Sequence, residues 1–381
     1  MRAIYAFSGD PITDGHIDIV ARAARTYDHV TVAIGDNPSK AGRYLFSRDE
    51  RLEMIRHSLE HLANVTVEAF DGLLAEYAYR SGFDVIVRGV RNNTDLESEL
   101  VLFAVNESLH PTLDTVFFPA RGSMAHIASS VVKAIVAEGG DVSSYCPLRV
   151  KEALERRIRS RYTVAVAGGI AAGKTWVARA LAERLAQRVP ATYISLDEVG
   201  HHVLGPSEAP IYRTTRQRIA QRFGADVIQA DGSVDRRLLG RRVFSDSRDL
   251  HDLDTIMREP MLARLYEQTS AIHKGIIVLE GAIIVEAGWT DLVNNNVVLV
   301  DAPDDLRLQR LMERNSLPRD EAQAKIDRQV TQAQRLETLQ HAVAERRWGR
   351  IWQISSPPDD TDLDRVTDEI IAAAALPPNG D

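Results

Sequence analysis

Short apolar runs alternate with longer amphipathic segments from the first residues of the chain onward. Runs of this length, rich in β-branched side chains and bounded by turn residues, are typical of buried strands. They cover residues 2–7, 30–34, 65–70, 84–88, 114–118, 162–167, 191–196, 275–279 and 297–300. Because helical patterns lie between them, the alternation predicts right-handed βαβ units and parallel sheets, the α/β class.

Two of the helical patterns begin with the signature of a capping box, in which Ser or Thr precedes Glu by three residues. Ser47 precedes Glu50 in this way, and Thr94 precedes Glu97. We expect each pair to form the first turn of a helix.

The length of the chain, 381 residues, exceeds what one ordinary core accommodates and suits two α/β domains. A polar, basic stretch at 159–161 precedes a new apolar strand, so we place the boundary there. The predicted domains are 1–158 and 162–376, joined by a linker at 159–161. The last residues, 377–381, are expected to be disordered.

Composition excludes several classes of protein. Hydrophobic residues make up 44% and charged residues 26%, as in soluble globular proteins, and no apolar run approaches the roughly 18 residues of a membrane span. The chain opens directly on a core strand rather than on a cleavable leader, so we expect a cytoplasmic protein without a membrane partner. A net charge of −8 disfavours nucleic-acid binding, and the single cysteine, Cys146, excludes an intrachain disulfide.

A glycine-rich segment with the spacing of a P-loop follows the strand at 162–167. Its backbone N–H groups would wrap phosphates, Lys174 would reach the β and γ oxygens as a catalytic residue, and Thr175 would ligate Mg²⁺. A helix starting at Lys174 adds its N-terminal dipole. The residues that we expect to bind ATP here are Gly168, Gly169, Ile170, Ala171, Ala172, Gly173, Lys174 and Thr175.

Charged residues downstream of the P-loop extend this hypothesis. Asp197 follows the strand at 191–196 and could accept a proton from an attacking hydroxyl or orient Mg²⁺; the alternative is that it caps the next helix. After the strand at 297–300, a helix carries Arg307, Arg310 and Arg314, of which the last two share a face. We interpret this helix as a lid that presents guanidinium groups to ATP, with a solvated basic face as the alternative.

The second half, from about residue 162 to 375, resembles the dephospho-CoA kinase family. The matching segments are 168–175, Asp197, 223–226, 231–236, 243–245, 310–314 and 319–329. The resemblance implies a P-loop kinase fold with a helical lid and CoA region. It also implies transfer of the γ-phosphoryl group of ATP to the ribose 3′-hydroxyl of dephospho-CoA, with Asp197 as the base and Arg310 and Arg314 over ATP.

This half departs from the family pattern at three places. Ala171 and Ala172 replace the usual Gly-Ser within the loop, and Glu259-Pro260 replaces a usual His-Pro. The segment 280–282, Glu-Gly-Ala, stands where the family has an acidic residue followed by Pro-Leu. We expect these changes to alter efficiency and contacts to CoA rather than the reaction itself.

A second phosphate-handling motif lies near the start, in residues 10–16. The loop after the first strand ends in Gly15-His16 at the start of an amphipathic helix, which would place the imidazole and the helix N-terminus beside an α-phosphate. A phosphate nucleophile is already anionic, so catalysis can come from positioning and charge stabilisation alone. By itself, however, His16 could equally be a capping histidine.

The first half, residues 1 to about 158, resembles bacterial phosphopantetheine adenylyltransferase, a nucleotidyltransferase with a Rossmann-like sheet that forms closed homo-oligomers. The matching segments are 10–13, 15–16, 37–40, 88–91, 95–99 and 127–130. The resemblance implies that His16 and Lys40 stabilise the transition state. It assigns Ser8, Lys40 and Arg88 to phosphopantetheine, and the residues that it assigns to ATP are Ser8, His16, Arg91, Glu99, Ser129 and Ser130.

One departure in this half falls within the phosphate loop. The Gly-Thr-Phe of the family is here Phe7-Ser8-Gly9, so Ser8 stands in for the threonine, and the glycine and the aromatic residue have exchanged ends. A phenylalanine at a position that is usually glycine is expected to crowd the approach of the backbone to phosphate.

Together the two halves predict a bifunctional enzyme of late coenzyme A synthesis that uses ATP, 4′-phosphopantetheine and dephospho-CoA and releases CoA. We expect a homo-oligomer built through the first domain. The alternative is a dephospho-CoA kinase whose first domain is a diverged nucleotidyltransferase or a catalytically silent oligomerisation module.

Overall fold

The computed structural model describes residues 1–36, 42–243 and 247–376. Residues 37–40, 244–245 and 377–381, on which some of the predictions fall, lie outside this described part. The chain divides into two units, one made of 1–137 and 141–158, the other made of 138–140 and the chain from Arg159 onward. Each is an α/β unit with a parallel sheet, which confirms the predicted fold class.

The sheet of the first unit contains five parallel strands among the described residues, in the order β3-β2-β1-β4-β5. They are β1 (Arg2–Phe7), β2 (His29–Gly35), β3 (Val65–Phe70), β4 (Val85–Val90) and β5 (Asp114–Pro119). The strand order reverses between β1 and β4, and open α/β sheets bind ligands at the carboxyl ends of the strands beside such a switch point.

The helices of the first unit are α1 (Asp14–Thr26), α2 (Arg48–Leu59), α3 (Leu74–Arg80), α4 (Asn93–Leu109), α5 (Ser129–Ala137) and α6 (Leu148–Arg159). The predicted capping box at the start of α2 is confirmed, since Ser47 and Glu50 exchange hydrogen bonds. The one predicted at Thr94 is wrong. Asn92 caps α4 by accepting a hydrogen bond from the backbone N–H of Asp95, because an asparagine is available just ahead of the helix.

The sheet of the second unit has the order β10-β9-β6-β8-β7, again with all pairs parallel. Its strands are β6 (Arg161–Gly168), β7 (Ala191–Ser195), β8 (Gly275–Glu280), β9 (Asn296–Asp301) and β10 (Arg350–Ser355). We did not predict β10. Its apolar residues alternate with polar ones, so that Trp352 and Ile354 are buried while Gln353 is exposed, a weaker signal than a continuous apolar run.

Helices cover both faces of this second sheet. They are α7 (Lys174–Ala186), α8 (Leu196–Leu204), α9 (Pro210–Phe223), α10 (Arg236–Val243), α11 (Ser247–Ser270), α12 (Ile283–Glu286), α13 (Asp304–Asn315), α14 (Arg319–Asp327), α15 (Gln332–Arg346) and α16 (Asp360–Ala374). Side chains of β6 alternate between two cores: Val164 and Val166 pack in one core, and Ala165 and Ala167 in the other. The central strand is therefore buried on both sides.

Two of the three residues of the predicted linker belong to secondary structure. Arg159 is the last residue of α6 and Arg161 the first of β6, so only Ser160 lies between the two elements. Its φ of 46° is in the left-handed region. Within the described part of the chain, none of the helices combines the length and hydropathy that crossing a membrane requires.

Candidate active sites

A cavity of about 840 Å³ opens at the carboxyl edge of the first sheet, beside β1 and β4. It brings together nearly all the site residues predicted for this half. They are Ser8, His16, Arg88, Arg91, Glu99, Ser129 and Ser130. Lys40, the remaining one, lies outside the described residues.

His16 occupies the third position of α1, whose N-cap is Thr13. Its Nδ1 accepts a hydrogen bond from the backbone N–H of Thr13 at 3.1 Å and lies 2.7 Å from the Thr13 hydroxyl. Burial, with a smaller contribution from the positive charge of Arg91, lowers the pKa of His16 to about 4. The ring is therefore neutral at pH 7, and because Nδ1 is an acceptor, its proton is on Nε2. His16 therefore does act as a capping residue through Nδ1, which was the alternative interpretation. Its Nε2–H remains available as a hydrogen-bond donor.

The unusual loop sequence places an aromatic ring against this histidine. The rings of Phe7 and His16 lie 4.5 Å apart between centroids, and Phe7 also stacks on Tyr5 at 5.3 Å. Gly9 takes the left-handed conformation, with φ of 63°, and a Cβ there would lie 2.7 Å from Cδ1 of Ile55. The exchange of glycine and phenylalanine thus fits the local backbone, and the Phe7 ring packs against one face of the imidazole.

Both arginines at the end of β4 are paired with carboxylates of α4. Arg88 donates from Nε to Oε2 of Glu99 at 2.6 Å and from Nη2 to Oε1 at 2.5 Å, and its Nη1 donates to the carbonyl of Ala6. Arg91 pairs with Asp95, at 2.7 Å from Nε and 3.1 Å from Nη2. A phosphate that binds either guanidinium must therefore share it with a carboxylate or displace one.

Arg51 is a buried residue behind the lining of this cavity, and the sequence did not predict its role; its side chain is 2% exposed. Its Nη1 donates to the carbonyl of Ser8 and its Nη2 to Oδ1 of Asp36, both at 2.6 Å, and the ring of Tyr44 lies 4.2 Å from its Cζ. Arg51 thereby fixes the Ser8 loop. An arginine one turn before Ile55, within the buried stripe of α2, was the signal available.

The P-loop of the second unit has the predicted connection from strand to helix. Strand β6 ends at Gly168, and helix α7 begins at Lys174, as expected. Two loop residues are in the left-handed region: Gly173 with φ of 92° and Ala171 with φ of 58°. Glycine adopts this conformation without steric penalty, whereas Ala171 holds it under strain.

Two buried arginines converge on Gly169. A Cβ at this position would lie 2.8 Å from Nη2 of Arg307 and 3.2 Å from Nη1 of Arg335. These same two nitrogens have no hydrogen-bond partner among the described residues. The next residue, Ile170, is held at both backbone groups: its carbonyl accepts from Nε of Arg307 at 3.1 Å, and its N–H donates to Oε1 of Gln329 at 2.7 Å.

The two predicted lid arginines differ in their surroundings. Nη1 of Arg310 donates to the carbonyl of Ala171 at 3.3 Å and lies 3.1 Å from the hydroxyl of Ser356, so Arg310 contacts the P-loop directly. Arg314, one turn further along α13, is exposed and donates to the side-chain oxygen of Asn315 at 3.0 Å. Of the predicted pair, the structure brings Arg310 to the loop.

Glu280, the last residue of β8, faces the magnesium-binding hydroxyl that we predicted. Its Oε1 accepts a hydrogen bond from Thr175 at 3.2 Å, and Tyr193 and Ser195 each donate to Oε2 at 3.3 Å. Burial raises the pKa of Glu280, opposed by the nearby charge of Lys174. The sequence analysis noted this acidic position without assigning it a role; an acidic residue that ends an otherwise apolar strand was the signal.

Asp197 lies in the first turn of α8 rather than at the end of a strand, because β7 ends at Ser195. It is exposed, and its charge contributes to raising the pKa of Glu280. The alternative that Asp197 caps α8 is wrong, since the hydroxyl of Ser195 accepts the capping hydrogen bond from Glu198. The carboxylate of Asp197 is thus free of the capping role.

The donor set around the P-loop fits Mg²⁺. Thr175 offers a hydroxyl oxygen and Glu280 a carboxylate in contact with it, and hard oxygen ligands of this kind suit magnesium. Magnesium at kinase sites usually takes one or two protein ligands together with substrate phosphates. In the described ranges, no group of three or more His, Cys, Asp or Glu residues is arranged to hold a metal ion by itself.

Comparisons with known proteins match each unit separately. The family model described as dephospho-CoA kinase matches residues 162–345, and the model described as cytidylyltransferase-like matches residues 8–135. Three curated relatives, all phosphopantetheine adenylyltransferases, match about two fifths of this chain. The protein from Herpetosiphon aurantiacus is 45% identical over 154 residues, which are 40% of this chain and 92% of the relative.

The other two relatives match a similar share of this chain at similar identity. The protein from Heliobacterium modesticaldum is 46% identical over 145 residues, 38% of this chain and 85% of its own. The protein from Haemophilus influenzae is 43% identical over 154 residues, 40% of this chain and 97% of its own.

Proposed function

We propose that each of the two sites of this chain catalyses one reaction. The chain belongs to the phosphopantetheine adenylyltransferase family through its first domain and to the dephospho-CoA kinase family through its second. It catalyses the last two steps of coenzyme A synthesis. In the first, the adenylyl group of ATP passes to 4′-phosphopantetheine, giving dephospho-CoA and pyrophosphate. In the second, ATP phosphorylates the ribose 3′-hydroxyl of dephospho-CoA, giving CoA and ADP.

In the first step, a phosphate oxygen of phosphopantetheine attacks the α-phosphorus of ATP as the bond to the bridging α–β oxygen breaks. The nucleophile is already an anion, so this site needs no base. The Nε2–H of neutral His16 donates to a non-bridging oxygen of the α-phosphate, where negative charge develops. A donor of this kind contributes about 10²- to 10³-fold to the rate. Lys40 would add a positive charge at the same phosphate.

The other residues of the first cavity hold the substrates in line. Arg88, together with Ser8, binds the phosphate of phosphopantetheine, and Arg91 binds the β- and γ-phosphates of ATP. Ser129 and Ser130 form the first turn of α5, where backbone N–H groups and the helix dipole favour these phosphates. Glu99 contacts the adenosine and, in the absence of substrate, neutralises Arg88.

In the second step, Asp197 accepts the proton of the ribose 3′-hydroxyl as its oxygen attacks the γ-phosphorus and the bond to the bridging β–γ oxygen breaks. The P-loop backbone and Lys174 hold the β- and γ-phosphates. Arg310 stabilises the charge on the transferred group from its position beside the loop. Thr175 and Glu280 would hold Mg²⁺, which neutralises phosphate charge when it is bound.

We further infer that copies of this chain associate through the first domain. Helix α4 has no buried residue within the part of the chain that the structure describes. Its exposed large apolar side chains are 45–65% exposed; they are Leu100, Val101, Leu102, Val105 and Leu109. Val101, Val105 and Leu109 are spaced by four residues and share one face of this helix, and an exposed apolar face of this kind is typical of an interface between subunits. Because both steps consume ATP, we expect the protein to work in the cytoplasm.

One observation carries this function: each domain gathers its own phosphate-binding and reactive groups at the carboxyl edge of its own sheet, around His16 in one and Lys174 in the other. The test is an assay of the purified chain with ATP and Mg²⁺. We expect pyrophosphate on addition of phosphopantetheine and ADP on addition of dephospho-CoA. ADP without pyrophosphate would instead support a kinase with a diverged or silent first domain.

A further inference from the structure

The helix that follows the P-loop carries an exposed tryptophan in its first turn. Trp176 comes directly after Lys174 and Thr175, and 57% of its surface is exposed. The other three tryptophans of the chain are buried or partly buried. An exposed indole leaves a large apolar surface in water, and its position beside the phosphate-binding residues points to a ligand that covers it.

The side chain of Trp176 lies on the outer face of α7. The opposite face of this helix, which includes Val177 and Leu181, packs in the core of the second unit. Arg179, one turn further along, has its Cζ 5.3 Å from the ring centroid of Tyr193. In the part of the chain that the structure describes, no aromatic ring or guanidinium stacks on the indole. Both of its flat faces therefore lack a protein ring or cation.

Helix geometry directs this side chain toward the P-loop. Each Cα–Cβ bond of a helix tilts toward the N-terminus, and long side chains lie over the preceding turn. For Trp176 that turn begins at Gly173, the N-cap of α7. A Cβ at Gly173 would lie 2.6 Å from Oγ of Ser356 and 3.1 Å from Nη1 of Arg310, so Arg310 is at the same end of the helix. The indole thus leans toward the residues that we assign to the nucleotide phosphates.

The backbone of Trp176 belongs to the same phosphate-binding turn. The N–H of Val177 donates to the carbonyl of Gly173 at 3.1 Å. The three N–H groups before it have no acceptor within the helix and are available to phosphate oxygens. Lys174 reaches the β and γ oxygens and Thr175 the magnesium, so the next N–H, that of Trp176, is placed for the α-phosphate. A nucleoside is joined to its α-phosphate through one ester oxygen and therefore begins beside this residue.

We propose that the indole of Trp176 stacks on the adenine of the ATP that binds at the P-loop. Every base presents a flat π-face, and an aromatic side chain can stack on it without a hydrogen bond. The inference rests on the kinase function of the second domain. It adds to that site a residue that recognises the nucleoside, whereas the loop, Lys174 and Arg310 recognise the phosphates.

The first test uses tryptophan fluorescence of the full chain. All four tryptophans, at 176, 289, 348 and 352, lie in the second unit, so the signal reports on the kinase domain even though the first domain also binds ATP. We expect ADP with Mg²⁺ to quench the fluorescence as adenine covers the exposed indole, and Trp176→Phe to lose this quenching. Inorganic tripolyphosphate carries no base, so it should occupy the P-loop without comparable quenching.

The second test measures the KM for ATP in ADP formation from dephospho-CoA. Trp176→Ala should raise it about 10-fold, as the loss of one base–aromatic stack implies, while kcat changes little. Trp176→Phe keeps an aromatic ring and should stay close to the unmodified chain. The matched control is Glu183→Gln, at an exposed residue of the same helix face two turns from the loop. It should keep both the quenching and the KM.

An unchanged KM for ATP in Trp176→Ala would overturn the inference. Equal quenching by tripolyphosphate would also overturn it, since phosphate binding alone would then explain the signal. A higher KM for dephospho-CoA with that for ATP unchanged would place the acceptor on the ring and overturn it too. If ADP quenches Trp176 but the chain makes no ADP from dephospho-CoA, the kinase function is contradicted and the stacking is supported.

Discussion

The imidazole Nδ1 of His16 accepts a hydrogen bond from the backbone N–H of Thr13 at 3.1 Å. A backbone N–H is always a donor, so this contact fixes the neutral tautomer with its proton on Nε2. The same residue therefore closes the first turn of α1 and presents a donor to the cavity. A histidine in this arrangement acts as a hydrogen-bond donor and not as a proton shuttle.

The first prediction concerns the pH dependence of adenylyl transfer. Because burial lowers the pKa of His16 to about 4, the ring stays neutral at all higher pH and its donor is retained. We expect kcat for pyrophosphate release to show no acid limb from His16 between pH 6 and 8, and to fall only as pH approaches 4. An inflection near the ordinary histidine pKa of about 6.5 that disappears in His16→Ala would contradict this account.

The second prediction concerns the ion pair between Arg88 and Glu99. Arg88→Gln removes the guanidinium that we assign to the phosphate of phosphopantetheine, so the KM for phosphopantetheine should rise about 10- to 100-fold. Initial-rate pyrophosphate release measures it, and ADP formation from dephospho-CoA should not change. Arg80→Gln, at an exposed arginine of α3, is the control and should behave like the unmodified chain. Equal losses in both variants would refute the assignment.

The third prediction concerns strain in the P-loop. Ala171 has a φ of 58°, a conformation that glycine adopts without steric penalty. Ala171→Gly should therefore stabilise the second domain by about 0.5–1 kcal/mol. We expect the midpoint temperature of the kinase-domain transition to rise slightly, as measured by thermal unfolding in the presence and absence of ADP. A downward shift would show that Ala171 is not strained.

The fourth prediction concerns the approach of two arginines to Gly169. In Gly169→Ala, the new Cβ would lie 2.8 Å from Nη2 of Arg307 and 3.2 Å from Nη1 of Arg335, so both buried groups must move. We expect kcat/KM for ADP formation to fall about 100-fold, which corresponds to about 2.7 kcal/mol. Gly200→Ala is the matched control, since its nearest contact would be Met261 at 3.9 Å. Similar activity in the two variants would contradict the prediction.

The strands were predictable where burial makes them continuously apolar. The run that became β8 is apolar on both faces and stands out in the sequence, whereas β10 has only Trp352 and Ile354 buried and escaped notice. Thr94 was misassigned because the capping-box pattern does not reveal which of several nearby polar residues caps the helix. Asn92, two residues earlier, takes that role.

The candidate sites were predictable where a motif keeps its residues close in sequence, as in the P-loop and in the loop before His16. Several residues that join a site through the fold, and that neither motif contains, were not assigned a role. Gln329 binds the backbone of Ile170 from 159 positions away, and Glu280 reaches Thr175 from 105 positions away. Arg51 reaches the carbonyl of Ser8 across the sheet edge. Only the arrangement of strands brings such residues together, and spacing along the chain does not reveal it.

The central claim is that this one chain contains two independent active sites. The decisive measurement follows pyrophosphate release with phosphopantetheine and ADP formation with dephospho-CoA in the unmodified chain, in His16→Ala and in Lys174→Ala. We predict that His16→Ala loses about 10²- to 10³-fold of the first activity and keeps the second, while Lys174→Ala loses the second and keeps the first. If His16→Ala leaves pyrophosphate release unchanged, or if either variant loses both activities together, the assignment of one reaction to each domain is wrong.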